Sequence, residues 1–125
     1  MMKHTDVIVH VQTNYLPAQS DPDREQFVFA YTITLTNRGE EAVQLLNRAW
    51  TITDANGDIS EVRGDGVVGQ QPIIEAGASF SYTSGAVLKT PVGTMEGYYG
   101  MKTLTEQALQ VAIPRFRLAL PHILH

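Results

Sequence analysis

Cysteine is absent from this 125-residue chain, which removes disulfides, thiol catalysis and thiolate metal sites together. No apolar run approaches the ~18 residues needed to cross a bilayer, so neither a membrane span nor a membrane partner is expected. The opening Met1-Met2-Lys3-His4-Thr5-Asp6 lacks the apolar stretch and small-residue cleavage site of a secretory signal, and the expected location is the cytoplasm. Charge is sparse at 18%, with nine Lys and Arg against thirteen Asp and Glu. A net charge of −4 argues against nucleic acid as a partner. What is present is ordinary for a folded domain: 43% apolar residues, ten glycines and six prolines. That balance excludes a disordered chain, a collagen-like repeat and a long coiled coil. The length is one domain's worth, and residues 1–125 are expected to form a single domain.

The dominant period is two. Val7, Val9 and Val11 alternate with Ile8, His10 and Gln12, as in a half-buried strand. Phe27, Phe29, Tyr31, Ile33 and Leu35 alternate with Val28, Ala30, Thr32, Thr34 and Thr36 in a second, longer run rich in β-formers. Between them, residues 14–26 hold Pro17 and Pro22 and read as a loop.

The next segment reads two ways. Ala42, Val43, Leu46, Ala49 and Trp50 fit a helical stripe. As a strand, Val43 and Leu45 point one way and Leu46, Trp50 and Ile52 the other, which requires a bulge near Leu45. The bulged strand is preferred because Thr51-Ile52-Thr53 runs straight into Asn56-Gly57, a strong signal for a type I′ hairpin returning through Ile59 to Val62. Later runs place Phe80 and Tyr82 on one strand and Met95, Gly97, Tyr99 and Met101 on one face of another. In the last strand Leu109, Val111 and Ile113 change parity to Phe116, Leu118 and Leu120. Pro114 therefore marks an edge position or a bulge. Seven or eight short strands of this kind predict an all-β, antiparallel two-sheet sandwich.

Few residues carry a chemical signal. Gly64-Asp65-Gly66-Val67-Val68-Gly69 spells G-x-G-x-x-G, which makes Gly64, Gly66 and Gly69 candidates for an anion-binding loop. Pro72 forbids the helix that such a loop needs, and Asp65 would repel phosphate, so a tight connection between strands is the expected role. Asp54, Asn56 and Asp58 resemble the opening of a calcium loop. Ile59 and Asp65 then stand where its glycine and glutamate belong, so calcium is not expected. The histidines lie near the chain ends, and His122 and His125 are the candidate metal ligands, without a specific spacing. Trp50 reads as a core anchor, and Tyr98 as an outward aromatic beside Tyr31 or Tyr82. Arg115 and Arg117 share a face, with Arg48 and Arg63 elsewhere. Ser84 has no neighbouring histidine to act as its base. No catalytic residue, resident cofactor or metal is assigned from these patterns, and an enzyme is the least expected class.

Several ordered blocks together resemble one family. Leu45-Leu46-Asn47-Arg48-Ala49-Trp50-Thr51-Ile52-Thr53-Asp54-Ala55-Asn56-Gly57 is similar to the signature of the bacterial ApaG family. Glu61-Val62-Arg63-Gly64-Asp65-Gly66-Val67-Val68-Gly69-Gln70-Gln71-Pro72 resembles its second block, and Phe80-Ser81-Tyr82-Thr83-Ser84-Gly85 its third. Residues 90–99 and 116–121 complete the likeness. Ala49 departs from it, standing where members often carry histidine or another larger residue. The resemblance implies an immunoglobulin or fibronectin type III-like sandwich and a link to cobalt and magnesium resistance. It further implies a protein-binding role, inferred from related domains in F-box proteins and in a DNA polymerase δ-interacting protein. A non-catalytic protein-interaction module, with an unknown protein partner and room for a homodimer, is thus the leading expectation. The alternative is a binder of a phosphate- or pyrophosphate-containing ligand or of a divalent metal, through the glycine loop or the terminal histidines.

Overall fold

The computed structural model describes residues 6–122. Its strands are β1 (Val7–Tyr15), β2 (Phe27–Asn37), β3 (Val43–Asp54), β4 (Ile59–Asp65), β5 (Ile73–Ile74), β6 (Ser79–Leu88), β7 (Val92–Thr103) and β8 (Ala108–Ala119). They pair antiparallel in two sheets, β1-β2-β6 and β4-β3-β7-β8, with β5 joined to β3. This is the antiparallel two-sheet sandwich that the alternation predicts, of the immunoglobulin/fibronectin type III-like kind that the family resemblance implies.

Side chains on a strand point alternately to its two faces, so a period-two sequence buries one set. β2 follows this strictly: Phe27, Phe29, Tyr31, Ile33 and Leu35 are buried, and the residues between them are half exposed. They meet Trp50, Met95, Tyr99, Met101, Val111, Ile113 and Leu118 of the facing sheet in one core. Each large apolar side chain buried this way stabilises the fold by about 1.5–3 kcal/mol.

Two parity changes in the sequence are two bulges. On β3, Leu45 pairs with Met101 and Asn47 with Gly100, so Leu46 is the extra residue, and the segment is strand rather than helix. On β8, Ile113 pairs with Gly97 and Phe116 with Met95, which places one extra residue at Pro114-Arg115. That residue returns Leu118 to the core after Ile113, and β8 is an edge strand as well. Pro17 and Pro22 each open a short 3₁₀ turn within the expected loop.

The hairpin after Asp54 differs from the type I′ expectation. Gly57 has φ of +86°, but Asn56 does not share a positive φ. Gly57 N–H donates to the Asp54 carbonyl at 3.1 Å, and Asp54 N–H to the Asp58 carbonyl at 3.0 Å. The turn is type I followed by a left-handed glycine, the three-residue hairpin with a bulge. Asp54 selects it: its Oδ1 accepts the amides of Asn56 (2.8 Å) and Asp58 (3.0 Å). The carboxylate that opens the calcium-like pattern is thereby committed to the turn. No helix of the described residues is long and apolar enough to cross a membrane.

Candidate functional site

The glycine motif begins at the end of β4 and is held from β3. The bulge at Leu46 leaves Arg48 on the same face as Trp50, pointing between the sheets. From there Arg48 Nη1 donates to the carbonyls of Asp65 (3.0 Å) and Gly66 (2.9 Å). The carbonyl of the bulged residue itself accepts Gly66 N–H at 2.7 Å and Gln71 Nε2 at 2.9 Å. The loop then reverses on Val68 (φ +42°) and Gly69 (φ +78°), while Val67 and Gln70 exchange backbone hydrogen bonds of 2.8 and 2.9 Å. Two consecutive positive φ values in a two-residue reversal make a type I′ turn. The turn expected at Asn56-Gly57 is therefore found here, with a β-branched residue in its first place.

Glycine is required at Gly66, whose φ is +62° and where a Cβ would overlap the Gln70 carbonyl. At Gly64 a side chain would press on the Arg48 guanidinium. No helix follows, only β5 after Pro72. The amides of Gly66, Val67 and Gln70 all bond within the protein, whereas an anion-cradling loop must keep such amides free.

The loop closes one side of a cleft of about 270 Å³ between the sheets, lined also by Tyr31, Tyr82 and Ser84. Tyr82 on β6 and Tyr99 on β7 join their hydroxyls at 2.5 Å across the core. Burial pushes the Tyr31, Tyr82 and Tyr99 phenols above the usual tyrosine value, and the positive charge of Arg48 opposes this in each. Phenols that hold their protons donate hydrogen bonds and do not act as bases near neutral pH. Behind them Trp50 is 3% exposed and packs edge-on against Tyr31, Tyr99 and Phe116 at centroid distances of 5.4, 6.4 and 5.9 Å. It is the expected core anchor, and its Nε1 is buried with no hydrogen-bond partner among the described residues.

Tyr98 does not stand beside Tyr31 or Tyr82. It lies on the outer face of the larger sheet, where its hydroxyl accepts Arg63 Nη1 at 2.9 Å. Ala49 pairs with Arg63 on one side and Tyr98 on the other. These residues, with Asn47 and Gly64, line a shallow concavity of about 440 Å³. Arg115 is paired with Glu96 at 3.1 Å on the same sheet. The candidate ligand His122 follows β8, and His10 stands on β1 opposite Thr34. His4 and His125 lie outside the described residues. Among the described residues, no three His, Asp or Glu side chains are grouped to hold a metal.

The ApaG domain matches residues 17–103. The chain belongs to the ApaG domain family. Protein ApaG of Pectobacterium atrosepticum is 55% identical over 125 residues, covering all of both chains. Protein ApaG of Yersinia pseudotuberculosis is 52% identical over the same full span. The X-ray structure of a structural-genomics target superposes with a TM-score of 0.93 at 48% identity, covering 98% of this chain and 92% of the other. The crystal structure of a putative ApaA protein from Bordetella pertussis gives 0.91 at 47% identity, covering 94% and 96%. The G-x-G-x-x-G that reads as a phosphate motif in a helical context is, within this ApaG fold, a strand connection. Sequence reasoning found the loop but missed Arg48 as its strut. The signal was there in the parity change, which puts Arg48 on the face of Trp50.

Proposed function

We propose that this ApaG-family chain is a non-catalytic protein-interaction module linked to cobalt and magnesium resistance. The observation that carries the reading is the Arg63–Tyr98 pair on the outer face of β4-β3-β7, beside a shallow concavity that includes Ala49 and Gly64. Arginine and tyrosine are the side chains that most often anchor protein interfaces, and a rigid sheet presents them at low entropic cost. Ala49 deepens the dent between them, so a larger side chain from a partner has room to seat. The alternative ligand classes draw less support. The amides of Gly66, Val67 and Gln70 and the Arg48 Nη1 are engaged internally, and the tyrosines of the cleft hold their protons. The metal link is accordingly read as acting through a bound protein.

The test joins capture to growth. The chain as bait in bacterial lysate is expected to retain a partner that an Arg63→Glu/Tyr98→Ala variant loses. The same variant should fail to restore growth on cobalt to a strain lacking the chain. Equal rescue by wild type and variant would refute the surface. Saturable micromolar binding of pyrophosphate in calorimetry would favour the ligand reading instead.

A further inference from the structure

The three strands of the smaller sheet contain no Asp, Glu, Lys or Arg at any position. All the charged residues of a chain with net charge −4 lie elsewhere. The outer face of this sheet is instead a lattice of hydroxyls. Thr32 pairs with Thr83 (2.7 Å), Thr34 with Ser81 (2.7 Å) and Thr36 with Ser79 (2.8 Å).

An exposed strand edge is a template for another strand, and proteins normally guard it with charge, proline, bulges or cover. Three of the four edges here are guarded. β4 carries Glu61, Arg63 and Asp65 at alternate positions. β8 carries Pro114, a bulge, Arg115 and Arg117. β1 lies against β8. β6 has β2 as its one strand neighbour and carries none of these devices along Ser79–Leu88.

We propose that β6 is the self-association edge of this protein, pairing antiparallel with β6 of a second copy to give a continuous six-stranded sheet. A heterologous partner recognised by charge would leave charge on this strand. Two copies that each bear −4 approach most easily where neither has any. The chemistry is self-complementary as well, because a hydroxyl both donates and accepts. Antiparallel pairing about Ser81 sets Ser79 against Thr83 on the outer face and Phe80 against Tyr82 on the inner. Each contact is of a kind that stabilises cross-strand pairs. This proposal is independent of the Arg63–Tyr98 surface, which belongs to the other sheet.

Sedimentation equilibrium of the full chain tests it. A concentration-dependent dimer is expected, with an affinity that barely changes with salt because no ion pair contributes. Ser81→Lys opposes two like charges at the twofold axis and should weaken the dimer by about tenfold or more. Ser81→Glu should do the same, and mixing the two variants should restore association as a heterodimer. Circular dichroism checks that both variants fold. Glu61→Lys on the β4 edge should leave the association unchanged. A monomer at every concentration, a dimer indifferent to Ser81→Lys, or variants that fail to recover on mixing would overturn the proposal.

Discussion

The Tyr82 and Tyr99 hydroxyls meet across the sandwich, one from each sheet, and form a buried side-chain link between the two layers. Removing one hydroxyl leaves its buried partner without that bond. Tyr82→Phe should therefore destabilise by about 1–3 kcal/mol in urea unfolding. The double variant Tyr82→Phe/Tyr99→Phe should lose less than the sum of the two single losses. Strict additivity would show that the hydroxyls do not act as a pair.

The same two phenols predict alkaline instability. Their pKa is higher folded than unfolded, chiefly through burial, so the folded state keeps protons that the unfolded chain releases. Their contribution is complete below the unfolded value of about 10 and is lost as pH rises above it, by about 1.4 kcal/mol per pH unit for each group. Urea midpoints measured from pH 8 to 11.5 should fall steeply beyond pH 10. In the double phenylalanine variant the fall should be shallower.

The glycine loop offers a pair of opposite substitutions. Gly66→Ala forces a side chain into a left-handed residue that faces the Gln70 carbonyl, and should cost more than about 1 kcal/mol. Val68→Asn replaces a β-branched residue at φ +42° with one that tolerates this region, and should be neutral or stabilising by up to about 1 kcal/mol. Thermal unfolding of both variants checks the turn assignment. A clear loss of stability in Val68→Asn would contradict it.

Trp50 combines close packing with an indole N–H that finds no acceptor among the described residues. Trp50→Ala should cost roughly 3–5 kcal/mol through the cavity it opens. Trp50→Phe removes the unpartnered N–H while keeping a ring against Tyr31 and Phe116, so it should cost less than half as much. Equal losses in the two variants would mean that the N–H has a partner after all.

The sequence by itself determined the alternating strands, the bulge near Leu45, the buried faces and the ApaG membership, and it narrowed Pro114 to an edge position or a bulge. Cβ alternation is a local property, so Phe27 to Leu35 and the parity changes at Leu46 and Pro114 are legible one residue at a time. Turn type was only half legible. Asn56-Gly57 marked a reversal, but the Asp54 carboxylate chose its geometry, and the type I′ turn formed at Val68-Gly69, where Gly69 suits it and the β-branched Val68 does not. Packing of the loop against Leu46 and Arg48 decided that. Only the tertiary structure brought Arg48 to the loop, took Tyr98 away from Tyr31 and Tyr82, and left β6 as an unguarded edge. Each depends on which strands become neighbours. That choice is made by the fit of two sheets over a shared core, between residues far apart in sequence, and alternation along a single strand does not encode it.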